Sequence, residues 1–74
     1  MEERNIIGLK IKQIRQQKKI TQEQLAARLN VLGIEIDQPM ITRIENQSRN
    51  LLDFEIIGFS KALGVNIEEL FENN

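Results

Sequence analysis

The sequence predicts an all-α fold, a compact five-helix bundle. Three observations predict it: apolar residues recur at helical spacing in successive segments, helix-start signals precede several of those segments, and no useful stretch alternates with the two-residue period of a strand. A chain of 74 residues, 41% of them apolar, makes one domain over 1–74 with a modest core. Neither repeats, low-complexity tracts nor linkers interrupt it.

The first helix is expected over about 4–18, where Ile7, Ile11 and Ile14 form one apolar stripe while Lys10, Lys12, Arg15 and Lys18 occupy other faces. A second is expected over 21–32. Thr21 can cap its start while Gln24, three positions on, reaches back in a reciprocal capping box, and Leu25, Ala26 and Leu29 make the buried face. The third, over 38–46, follows Asp37 as N-cap and carries Pro39 in its first turn, where a missing N–H costs nothing; Ile41 and Ile44 point inward. For the fourth, 53–63, the signals are Ile56, Phe59 and Leu63 at helical spacing and Gly64 as the stop. A short fifth helix, 66–71, starts at Asn66 with Glu69 placed to complete another box.

Composition narrows the function. No cysteine is present, so there is no disulfide framework or thiolate metal site, and no histidine, which removes the commonest general base and metal ligand. With no glycine-rich phosphate loop and no paired acids at a plausible site either, an enzyme is not expected, nor a metal, a cofactor or a small-molecule substrate. The start Met1-Glu2-Glu3-Arg4-Asn5 is polar, and no apolar run approaches the roughly 18 residues of a membrane span, so a cytoplasmic protein without a membrane partner is the expectation.

A net charge of −1 hides a strong asymmetry. Residues 1–50 hold nine of the ten basic residues against six acids, a balance of +3, whereas residues 51–74 carry −4. Such a chain offers one face to phosphate and turns another away. The second and third helices form a short pair joined by a turn, and the outer side of the third presents Gln38, Thr42, Arg43 and Asn46. The major groove of DNA admits a helix, and its base edges favour bidentate Gln-to-adenine and Arg-to-guanine pairs, so Gln38 and Arg43 have suitable chemistry. The same residues also read as an ordinary solvated helix face.

The order Ile7-Gly8, Ile11, Ile14-Arg15, then Thr21-Gln22-Glu23-Gln24-Leu25-Ala26, then Ile41-Thr42-Arg43-Ile44-Glu45-Asn46, then Ala62-Leu63-Gly64-Val65 resembles the Cro and repressor (XRE) helix-turn-helix family over nearly the whole chain. The resemblance implies a lambda-repressor-like fold and a sequence-specific, double-stranded-DNA-binding transcriptional regulator of a bacterial host, a repressor more readily than an activator. It implies a third helix lying in the major groove with Gln38, Pro39 and Arg43 at base edges and Thr42 beside them. By the same likeness Gln22 touches a phosphate, Thr21 presents a backbone N–H to another at a helix N-terminus, and Asn46 and Arg49 clamp the strand beyond the recognition helix. Arg15 and Glu45 match a structural ion pair of the family. A symmetric homodimer on half-sites about one helical turn apart is implied as well. It would form through exposed apolar residues of the last two helices, such as Phe54, Val65, Leu70 or Phe71, or only on DNA.

Three features depart from the family pattern. The connection between helices 2 and 3 is longer than usual; it reads as a second helix running to about Leu32, a stop at Gly33, and a loop whose Ile34 and Ile36 fold back on the core. Pro39 replaces a hydrogen-bonding side chain and offers only apolar contact. Gln47 stands where glycine is common, so either Asn46 takes the left-handed conformation or the helix ends differently. The near-zero net charge and acidic tail keep a second reading open, a protein-binding module of the same fold whose ligand is a partner regulator or a toxin.

Overall fold

The computed structural model describes residues 3–72. In them α1 spans Gly8–Gln17, α2 Gln22–Val31, α3 Gln38–Glu45, α4 Asp53–Leu63 and α5 Ile67–Leu70, and among the described residues there is no strand. Helix α3 packs on both α1 and α2, and α4 closes the other side of α2. The centre is filled by Ile11, Leu25, Leu29, Ile41, Ile44 and Phe59, all without solvent exposure. Ile56, expected inward on α4, is only half-buried, at the margin of this core.

Helix α1 starts at Gly8, four residues after the expected start at Arg4. The cause is Asn5, a buried side chain whose Oδ1 accepts from the Gly8 N–H at 2.6 Å and whose Nδ2 donates to the carbonyls of Ile44 at 3.1 Å and Arg49 at 2.8 Å. The incoming chain is therefore bound to the far end of α3 and lies outside α1. Gly8 permits this approach, because a Cβ there would sit 2.0 Å from the Ile44 carbonyl oxygen.

Helices α1 to α4 end by one device. Lys19 (φ 58°), Gly33 (83°), Gln47 (67°) and Gly64 (71°) each turn left-handed after a helix. In each case the following N–H reaches back five residues: Ile20 to Arg15, Ile34 to Leu29, Ser48 to Arg43 and Val65 to Ser60, all between 2.8 and 3.0 Å. This double-bonded termination satisfies carbonyls the last helical turn leaves without partners. After α3 it is Gln47 that adopts the left-handed conformation, while Asn46 keeps φ −93°.

The long connection between α2 and α3 is anchored at both ends. Ile34 and Ile36 return to the core, and Asn30 Nδ2 lies within 2.8–3.3 Å of the carbonyls of Ala26, Ile34 and Ile36, holding the loop to the last turn of α2. Gly58 on α4 makes room for Ile34, whose Cδ1 would lie 2.0 Å from any Cβ at that position. Asp37 then starts α3 by accepting from the Met40 N–H at 3.0 Å. No helix among the described residues is long and apolar enough to cross a membrane.

Candidate nucleic-acid interface

The strongly amphipathic α3 sets the geometry of the site. With Ile41 and Ile44 fully buried against α1 and α2, the helical period turns Pro39, Thr42, Arg43 and the capping Asn46 out to solvent, with Gln38 half-buried at the start of the helix. Beside them lies the first turn of α2. Its start is fixed by Thr21, whose Oγ1 accepts from the Gln24 N–H at 3.0 Å while Gln24 Oε1 accepts from the Thr21 N–H at 2.9 Å. That second bond takes up the backbone N–H that Thr21 was expected to offer a phosphate. The first-turn N–H groups of Gln22 and Glu23, which have no intrahelical acceptor, are the donors at this end.

Behind the face runs a continuous polar chain. Arg15 of α1 grips Glu45, the last residue of α3, through Nε at 2.6 Å and Nη2 at 3.1 Å, and its Nη1 donates to the Ile20 carbonyl at 2.9 Å. Both side chains are well buried, at 11% and 4% exposure, so the pair joins α1, the turn before α2 and the end of α3 in a low-dielectric setting. Gln22 Nε2 also donates to Glu45, at 3.0 Å. From the other end of the same amide, Gln22 Oε1 accepts from Gln38 Nε2 at 2.5 Å and from the Thr42 hydroxyl at 3.1 Å. Gln22, expected only as a phosphate contact, thus couples the ion pair to the outer face of α3.

Arg49 is placed differently from a free strand clamp. Its guanidinium meets Glu55 of α4 in a two-pronged contact at 3.1 and 3.2 Å, and its side chain is only 23% exposed. Glu55 in turn accepts from the Leu52 N–H at 3.0 Å and so starts α4. Burial pushes the Glu55 pKa up, but the Arg49 hydrogen bonds, the Leu52 N–H and the Arg49 charge together outweigh it and hold the carboxyl below its ordinary value. Asn46 Oδ1 accepts from the Ser48 hydroxyl at 2.6 Å, which ties it to the turn after α3.

Sequence reasoning missed Asn5 and Glu55. Glu55 carried a visible signal, an acid three residues into a helix where it can reach back to the preceding N–H. Asn5 carried none, because its partners Ile44 and Arg49 lie about forty residues away. No cluster of three or more potential metal-ligating side chains occurs among the described residues.

A sequence model described as helix-turn-helix matches residues 11–70. The chain belongs to the Cro and repressor type of the helix-turn-helix family. It is a DNA-binding transcriptional regulator, as that membership implies. Among solved structures, the restriction-modification controller protein C.AhdI from Aeromonas hydrophila is similar, with 28% identity and a TM-score of 0.76 over 88% of this chain and 91% of that one. No curated protein matches the chain.

Proposed function

We propose that this helix-turn-helix protein is a non-enzymatic, sequence-specific repressor that lays α3 in the major groove of duplex DNA. The observation that carries the reading is the α3 face itself, with Pro39, Thr42 and Arg43 turned outward and Gln38 half-buried beside them, on a helix whose buried side is fixed by Ile41, Ile44 and the Arg15–Glu45 pair. Arg43 suits a guanine edge and Pro39 a thymine methyl. Gln22 and Asn46, with the first-turn N–H groups of Gln22 and Glu23 that follow Thr21, border the face and position the strand through phosphate oxygens; Arg49, already neutralised by Glu55, adds to this only weakly.

The basic balance of residues 1–50 supplies the attraction to phosphate, and the −4 of residues 51–74 belongs to the side turned away. A small regulator that occupies a promoter site acts most directly by excluding other proteins from it, which favours repression. Likeness to a protein named as a restriction-modification controller supports gene control as the role, in the cytoplasm of a bacterial host. The protein acts as a homodimer, at least on DNA. Phe54 and Phe71, at 54% and 47% exposure, suit such a contact, whereas Leu70 is core, 1% exposed.

Selection of bound sites from a random duplex pool tests the reading. A palindrome with two half-sites about one helical turn apart is the expected product. In a titration series on that site and its single-base-pair variants, Arg43→Ala should lose on the order of 1–3 kcal/mol and relax preference at one base pair. Equal weakening on every sequence would remove Arg43 from base reading. A second reading, docking of a partner protein, is favoured by the exposed apolar side chains of Val31, Leu32, Phe54 and Ile57. It becomes the leading one if no duplex is enriched.

A further inference from the structure

The polar chain behind α3 has a direction, and the direction reaches the groove. A carboxylate can only accept hydrogen bonds, so the amide that faces Glu45 must face it with nitrogen. Gln22 does so, with Nε2 at 3.0 Å from Glu45 Oε1, and its carbonyl oxygen is thereby turned toward α3. That oxygen needs donors. It receives Gln38 Nε2 at 2.5 Å and the Thr42 hydroxyl at 3.1 Å. The same Gln38 nitrogen also donates to Thr42 Oγ1, at 3.1 Å. The Gln38 nitrogen is thus engaged by two acceptors inside the protein, and the atom left open to an outside partner is Oε1, an acceptor.

We propose that the Glu45 carboxylate, acting through Gln22, fixes the amide orientation of Gln38 so that Gln38 reads a base edge as an acceptor only. It would recognise an exocyclic amino group, N6 of adenine or N4 of cytosine, and not the N7 acceptor that a two-handed glutamine would also engage. This rests on the reading of α3 as the groove-entering helix. Gln22 and Glu45 are then positioning residues. Neither needs to touch the base, yet both decide which of its edges is recognised. Thr42 completes the arrangement by giving the Gln38 nitrogen a second acceptor inside the protein, in competition with adenine N7.

The test uses the full chain and the duplex recovered by site selection. Each half-site base is replaced in turn by an analogue without its exocyclic amino group and, for purines, by the 7-deaza analogue, and affinities are measured for the parent and for Gln38→Ala. One amino deletion should weaken the parent by at least about fivefold and have no further effect in Gln38→Ala, while no 7-deaza substitution shows such coupling to Gln38. A 7-deaza loss that vanishes in Gln38→Ala would overturn the proposal, as would the absence of any base change coupled to Gln38. If selection enriches no sequence, the groove-reading function itself fails, an outcome distinct from both.

Glu45→Gln tests the relay. Its amide can turn nitrogen toward Gln22, which reverses each amide down the line and exposes Gln38 Nε2, so coupling to N7 should appear. Should that variant not fold, Gln22→Ala releases the Gln38 amide in the same way and should also bring N7 coupling. An unchanged pattern in a folded variant shows that Gln38 is not oriented through this chain.

Discussion

Two arginines hold buried carboxylates in this molecule, with separate consequences. Arg15 and Glu45 lie where water cannot screen an unpaired charge, so Arg15→Ala should cost roughly 3–5 kcal/mol of stability. Thermal melting should show this loss directly. Base preference of the folded protein should be retained, because the Glu45 carboxylate remains an acceptor whether or not the guanidinium is present. A stable Arg15→Ala protein with altered base preference would contradict the structural assignment. Glu55 gives a pH signature. Its folded pKa lies below the ordinary value of 4.5, so in acid the unfolded chain binds the proton first. Its stabilisation is fully present above that ordinary value and is lost as pH falls through the lowered folded pKa. Melting temperatures between pH 7 and pH 3 should fall more steeply for the parent than for Glu55→Gln, and equal slopes would exclude the Arg49 contact as the cause.

At the scale of elements, the helices were legible because each carries its own local signal. Thr21 with Gln24, Asp37 before Pro39, and Gly64 after Leu63 are read within four residues of one another, and the structure uses all three. The start of α1 was not legible. Ile7 continues the apolar stripe, but Asn5 and Gly8 are committed to the end of α3, a tertiary contact invisible to local pattern. The site divides in the same way. Gln38, Thr42 and Arg43 could be picked out by type and spacing, whereas the route from Arg15 through Glu45 and Gln22 to Gln38 depends on three elements meeting. Likewise Arg49 was read as a strand clamp for want of any sign that Glu55 would face it. Helix ends offer a stability test. Lys19 is exposed and left-handed, a conformation that strains any residue with a Cβ. Lys19→Gly should raise stability by about 0.5–1 kcal/mol in denaturant unfolding. Gln47→Gly should gain less, because it forfeits the 3.1 Å bond from Gln47 Nε2 to the Asn5 carbonyl. Destabilisation by Lys19→Gly would show that its side chain supports the turn.

At the scale of the whole molecule, a nearly neutral chain carries its charge unevenly between its helices. The basic balance lies in residues 1–50, which hold α1 to α3, and the acidic balance in residues 51–74, which hold α4 and α5. Electrostatic attraction to a polyanion then comes from the arrangement of charge, and the overall −1 does not oppose it. On the proposed reading, base recognition is confined to the outer face of α3 and strand positioning to its borders, and the apolar side chains exposed on α4 and α5 would be available to a second copy. The most direct measurement is a titration of the selected duplex and a scrambled one at 50 mM and 200 mM salt. If the α3 face reads the groove while six or more phosphates are neutralised across the dimer, the selected site should bind far more tightly at both salts and lose roughly a thousandfold over that range. Equal, weak and nearly salt-independent binding to both duplexes would contradict the account.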